Sequence, residues 1–206
     1  IHVEPLATSQ RHDDDLLPAI DRLFARLNLK PADLKPTDLK EGGAVAVSIG
    51  PGGFTGLRIA ISTAKMFAET LGVKLIGVPS AVVAAEALSD QRSEIRGQKS
   101  EVGDQKSEES KPSLSRAWAS GEVIVALASK NESAWCTRLR RDAHGAWMSV
   151  GESPPGLCEA NTLDLNGIAM LFGDEHLPMT MRDRCAGAGV PIIAPRFSAA
   201  GCLRIG

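Results

Sequence analysis

Hydrophobic and polar positions along this chain fall into blocks whose period changes from one stretch to the next. After Asp13-Asp14-Asp15, apolar residues occupy Leu16, Leu17, Ile20, Leu23, Phe24 and Leu27, the three-and-four spacing of an amphipathic helix. The acidic run supplies an N-cap and favours the positive end of the helix dipole, and Pro18 falls in the predicted first turn, where a missing N–H costs little. A polar connection containing Pro and Gly runs from Pro31 to Gly43. Ala44 to Ile49 is a short apolar run, which predicts a strand buried on both faces. The stretch Gly50-Pro51-Gly52-Gly53-Phe54-Thr55-Gly56 is turn-forming, and behind it the spacing predicts a helix from Leu57 to Leu71, stopped by Gly72. Val73 to Val78 predicts another buried strand, and Ser80 caps a predicted helix from Ala81 to Leu88. Strand, helix, strand, helix with short joints is the pattern of a parallel β-α-β unit.

From Gln91 the pattern changes. Gln91–Gly97, Gln98–Asp104 and Gln105–Lys111 are three imperfect seven-residue repeats. A coiled-coil seam needs two apolar residues per heptad, whereas these offer at most one, so a solvated insertion of no assigned function is expected from 91 to 120. Order then returns. Val123 to Ala128 and Ala134 to Leu139 predict a hairpin turning at Ser129-Lys130-Asn131-Glu132, to which Ala146 to Val150 adds a third strand. Ser153 to Asn161, with Pro154-Pro155-Gly156, reads as a loop. Ile168 to Phe172 is a buried strand ending at Gly173-Asp174, followed by a polar helix and a last strand, Val190 to Ala194. The expected organisation is an α/β lobe over 1–90, the insertion over 91–120, and a second α/β lobe over 121–206.

The helix behind the glycines is apolar on more than one side. Leu57, Ala60, Ile61, Ala64, Phe67, Ala68 and Leu71 form one stripe, Ile59 and Met66 lie off it, and Arg58, Ser62, Lys65 and Glu69 leave a narrow polar line. Such a helix has a second packing partner, either within its own domain or on another protein, and periodicity does not separate the two.

Composition narrows the field. Of 206 residues, 43% are hydrophobic and 23% charged, which is globular composition, and aromatics at 4% with no Tyr imply an aliphatic core. A net charge of -2 and no basic stripe argue against tight tRNA binding by this chain alone. Cys136, Cys158, Cys185 and Cys202 show no metal-ligand spacing and read as free thiols in a reducing, cytoplasmic compartment. No run is apolar enough to predict a membrane span, and no signal peptide heads the chain. Both ends, Ile1 without Met and Gly206 shortly after a possible helix start, read as cut.

Few motifs point to catalysis. A strand, a glycine loop and a helix N-terminus suit an anion, yet no Gly-Lys-Ser/Thr follows and Thr55 stands where a dinucleotide loop has its third glycine. His12, His144 and His176 lack patterned partners, Asp142-Ala143-His144 fits a turn better than a triad, and Gly173-Asp174 is a common turn pair.

The stretch Val47-Ser-Ile-Gly-Pro-Gly-Gly-Phe-Thr-Gly-Leu-Arg-Ile59 resembles the G-P-G-S-F-T-G-x-R-I signature of the TsaB (YeaZ) family, within the wider TsaD or glycoprotease-like superfamily. His12 with Leu16-Leu17-Pro18-Ala19-Ile20, and Leu71-Gly-Val-Lys-Leu-Ile-Gly-Val-Pro-Ser80, resemble the family's neighbouring segments. The resemblance is strong from about His12 to Leu88, thinner from Gly121 to Ala194 and absent across the repeats. It implies an actin-like, ribonuclease H-like two-lobe fold whose opening strands have no counterpart before Ile1. It implies a non-catalytic scaffold for making threonylcarbamoyladenosine on tRNA, partnered by a TsaD-type catalytic subunit and a TsaE-type ATPase. A homodimer is the alternative partner state, and tRNA is met only indirectly.

The resemblance also assigns residues. The signature loop is Gly50, Pro51, Gly52, Phe54, Thr55, Gly56 and Arg58. The partner face comprises Leu16, Ile20, Leu23, Ile59, Thr63, Ala64, Met66 and Phe67, so that Ala64→Glu is expected to abolish the complex while leaving helix content intact. Ser80 and Ala84 stand where TsaD carries an H-x-x-x-H metal pair, which leaves no metal and no catalytic residue. No cofactor is expected of the chain itself, with ATP or ADP at the partner interface as the alternative. Gly53 replaces the usual Ser, and Ala128-Ser129-Lys130 stands where relatives show Asp-Ala-Arg. Rival readings are a nucleotide-dependent phosphotransferase of the same fold and a glycoprotease-like metallopeptidase, the latter disfavoured by the missing His pair.

Overall fold

The computed structural model describes residues 2, 4–6, 12–34, 43–87, 121–129, 132–150 and 156–205. The insertion expected at 91–120 lies outside the described residues. The chain divides into two compact units, one of 1–80 with 198–206 and the other of 81–197. These bounds differ from the expected lobes at two places. Residues 81–87 pack with the second unit, and the closing helix rejoins the first.

In the first unit, helix α1 spans His12–Leu27. It starts one residue earlier than the acidic run suggested, so Pro18 sits inside the helix and not in its first turn. Asp15 is buried and accepts two hydrogen bonds from the Arg22 guanidinium at 3.1 Å each. A 3-10 turn, Pro31–Leu34, follows. Strand β1, Ala44–Ser48, then pairs in parallel with β2, Lys74–Val78, from Ala44↔Lys74 to Ser48↔Val78. Helix α2, Phe54–Leu71, is the crossover between them. It ends where Gly72 takes the left-handed conformation, φ 66°, and sends its N–H back to the Ala68 carbonyl, a stop that a side chain would strain.

The burial expected of β1 and β2 is not met. Ala44, Lys74, Leu75 and Gly77 are exposed, and Val45, Ala46 and Ile76 are half-buried. Apolar runs predict strands enclosed on both faces, but a sheet of two described strands makes each strand an edge.

The second unit opens with helix α3, helical over 80–87, whose residues from Ala81 belong to this unit. Its sheet contains β3 (Glu122–Ala128), β4 (Ser133–Arg141), β5 (Trp147–Ser149), β6 (Gly156–Glu159), β7 (Ile168–Gly173) and β8 (Ile192–Ile193). Strand order is β5-β4-β3-β7-β8, with β6 also paired to β4. The hairpin falls where the turn residues placed it, with Ala128 facing Ala134. Residues 156–159 were read as loop and form a strand, because Pro154-Pro155-Gly156 masks a short apolar segment that docks on β4.

Strand β3 is central and covered twice. Val123, Val125 and Leu127 face a core with Ala81, Ala84 and Ala85 of α3, while Ile124 and Ala126 face another with Met181 and Cys185. The second layer comes from helix α4, Met179–Gly187. Helix α5, Ala199–Ile205, closes the chain against β1 of the first unit.

The glycine loop and the outer face of the second helix

The loop between β1 and α2 is tied down at several points. The Ile49 N–H donates to the Val78 carbonyl at 2.9 Å, and the Ser80 N–H donates to the Gly50 carbonyl at 2.9 Å. The Ser48 and Ser80 hydroxyls meet at 2.6 Å. Ser80 was expected to cap a helix; it is the first helical residue, is buried, and spends its hydroxyl on Ser48. Sequence reasoning missed this pair, although a serine at the strand end and another at the helix start were visible signals.

Gly50 takes φ 100°, and a Cβ there would also stand 3.0 Å from Leu57 Cδ1. The peptide between Gly50 and Pro51 is cis. Helix α2 begins at Phe54 and not at Leu57, since the Leu57 N–H already donates to the Gly53 carbonyl at 3.0 Å. Gly53 is the N-cap and provides no side-chain acceptor, and the first turn carries no acidic residue. A Ser at that position, as in the signature, would add a few tenths of a kcal/mol, ~0.5 at most.

The signature side chains point outward. Phe54 is 72% exposed, and the Arg58 guanidinium lies over its ring, 5.3 Å from the centroid. Thr55, Arg58, Ile59, Ser62 and Thr63 line a shallow groove of about 370 Å³ along the helix. Arg58, Lys65 and Glu69 occupy one edge, with Lys65 and Glu69 in an exposed i,i+4 pair at 3.8 Å. The adjoining side, with Gly56, Ile59, Thr63, Met66 and Thr70, carries no charge.

Of the residues assigned to a partner face, Ile59, Thr63 and Phe67 are half-buried and Met66 is 50% exposed. Leu16, Ile20 and Leu23 are half-buried on α1, which packs against α2. Ala64 was assigned to that face as well. It is 6% exposed, in line with the buried Ala68 and Leu71, and its methyl points into its own unit. Ala64→Glu therefore perturbs folding before it perturbs any complex.

The remaining candidates are not gathered into a site. The Asp142 carboxylate accepts from the His144 and Ala146 N–H groups at 2.8 Å each, a turn, and those bonds, Ala146 first, hold its carboxyl below the usual value. Asp174 accepts from the His176 N–H at 3.0 Å in the same manner. The His12 side chain lies outside the described residues. Ser80 and Ala84 are both buried, one turn apart on α3, and neither is a metal ligand. Among the described residues no cluster of His, Cys, Asp or Glu could hold a metal, and no helix is long and apolar enough to cross a membrane.

The α/β arrangement of strand, glycine loop and helix has solved counterparts. The chain aligns with YeaZ from Pseudomonas aeruginosa at a TM-score of 0.62, over 95% of this chain and 75% of that one, at 16% identity. A second solved structure, of an uncharacterized protein with similarity to peptidase YEAZ from Pseudomonas aeruginosa, gives 0.59 over the same shares and at the same identity. The chain shares the α/β fold of those two structures.

In sequence, the family described as TsaD, tRNA N6-adenosine threonylcarbamoyltransferase, matches residues 3–96. The tRNA threonylcarbamoyladenosine biosynthesis protein TsaB of Buchnera aphidicola subsp. Acyrthosiphon pisum is 24% identical over 159 residues, 77% of this chain. The chain spans 56% of that relative's length. These findings agree: in sequence the chain is similar to a TsaB protein, and in fold to YeaZ.

Proposed function

We propose that this chain is an accessory subunit in the biosynthesis of threonylcarbamoyladenosine on tRNA, docking a TsaD-type catalytic subunit through the outer face of α2 with α1 beside it. One observation carries the docking surface. Helix α2 already buries Ala64, Ala68 and Leu71, yet its other side exposes Met66 and a groove of Thr55, Ile59, Ser62 and Thr63 with a single charge, Arg58. A face outside the core that is mostly uncharged suits a partner helix. The similarity to TsaB supports the pathway. The Ser80 and Ala84 pair supports an accessory role, because neither residue can supply a metal ligand.

The test uses Met66→Glu. The chain and the TsaD-type protein of the same organism are co-expressed and passed over a sizing column. Co-elution by the unsubstituted chain and separate elution by Met66→Glu, with unchanged circular dichroism, is the expected result. Separate elution of the unsubstituted chain as a dimer would place a second copy on this face. Its elution alone would remove the docking role. A TsaE-type ATPase and nucleotide at the interface are then tested by adding each to the isolated complex.

A further inference from the structure

Two of the four cysteines face each other across an edge of the second unit's sheet. Cys136 is on β4 and Cys158 on β6, and the register sets Cys136 opposite Gly156 and Ala134 opposite Cys158. The two cysteines are thus on one face, displaced by a single diagonal step. In a twisted antiparallel pair such diagonal neighbours reach each other's side chains. They are close enough for Cys158 to act on the Cys136 thiol. Both are half-buried and pack on the core that holds Ala134, Leu163 and Cys185.

We propose that Cys136 and Cys158 form a disulfide-forming redox site, closed by a small-molecule disulfide such as oxidised glutathione and reopened by a dithiol. Cys158 loses its proton to solvent and attacks one sulfur of the oxidant. The oxidant's S–S bond breaks, and one glutathione leaves as thiolate. Cys136 then loses its proton and attacks the Cys158 sulfur, expelling the second glutathione. The two protein thiols lose two electrons in total, the oxidant gains them, and the two released protons go to the two glutathione thiolates.

The order follows from position. Burial, and next the neighbouring Cys158, push the Cys136 thiol up, so it is a poor first nucleophile and suits the intramolecular step. Cys158 sits on a four-residue strand between the exposed Leu157 and Glu159. Bridging needs the Cβ atoms about 3.8 Å apart, closer than a diagonal pair, so β6 must slip along β4. A short strand paired to β4 yields to that movement more readily than a central one. Closure fixes β6 on β4. The competing partner is Cys185 on α4, near enough for Cys136 to sense it.

Trypsin separates the three thiols, since Cys136 lies in 131–138, Cys158 in 142–182 and Cys185 in 185–196. The reduced full chain is treated with oxidised glutathione, its remaining thiols are blocked, and the digest is weighed without reductant. The expected product joins 131–138 to 142–182, disappears with dithiothreitol, is absent in Cys158→Ala and persists in Cys185→Ala. Hydrogen exchange at 156–159 slows on oxidation. A bond from 131–138 to 185–196, glutathione left on both cysteines, or no bond in a folded chain would each overturn the proposal.

Discussion

Placing one carboxylate at Ala64 and, in a separate variant, at Met66 puts the same group two residues apart on α2, on opposite sides of the helix. Ala64 is 6% exposed and Met66 50%. A buried carboxyl is driven toward its neutral form by up to roughly 3–5 pH units, and at pH 7 holding it neutral costs about 4 kcal/mol. The extra atoms add about 1–3 kcal/mol of overpacking. That sum is comparable with the whole stability of an ordinary domain, about 5–15 kcal/mol. At Met66 the loss is half the transfer free energy of a buried Met, about 1 kcal/mol. Glu and Met have similar helix propensity, so the helix itself persists. Thermal and urea unfolding followed by circular dichroism should therefore separate the two. Ala64→Glu should lose cooperative unfolding of the first unit at room temperature, whereas Met66→Glu should shift the midpoint by about 2–4 °C. A wild-type midpoint for Ala64→Glu would show that the position is not enclosed, and would return it to the docking face.

Other outcomes follow from particular contacts. A Cβ on Gly173 would stand 2.7 Å from Leu177 Cδ2 and 3.1 Å from Leu171 Cδ2. Gly173→Ala should then cost about 1–3 kcal/mol, read as a lower urea midpoint at unchanged slope. Hydrogen bonding from Arg22, with a smaller share from Arg26, holds the Glu4 carboxyl below its usual 4.5. The stability it contributes is present above the unfolded value and lost as pH falls through the lower folded one. Arg22→Gln should raise the Glu4 titration midpoint in carbon-detected NMR, and its stability deficit should shrink between about pH 5 and pH 3. Ser48→Ala and Ser80→Ala should each cost about 1 kcal/mol, and the double variant less than the sum, because one 2.6 Å bond is lost in all three. Strict additivity in urea unfolding would deny that bond.

What the sequence carried was local. Gly72 marked the end of α2, the turn residues after Ala128 marked the hairpin, and Ile168 to Phe172 read as a buried strand. Readings failed where neighbours decide. Ala44–Ile49 and Val73–Val78 are as apolar as core strands, but apolarity does not reveal how many strands flank them. Strand β6 hid behind two prolines, since its partner β4 lies some twenty residues earlier in the chain. Ala64 is more instructive. Its spacing from Leu57, Ala68 and Leu71 placed it in the core stripe from the outset, and an assignment borrowed from resemblance moved it to the surface. The tie between Ser48 and Ser80 has no periodic signature, because two elements distant in sequence create it.

The return of α5 to β1 has a consequence for synthesis. Residues 81–197 make a unit of their own, while 198–206 belong with the first eighty. During translation the second unit has its whole sequence available before the first one does. Residues 1–80 of the first unit are made before the second unit and then wait for the helix at Ala199–Ile205. Nascent chains released before Ser198 should hence be more prone to aggregate and to bind chaperones than chains released after Ile205.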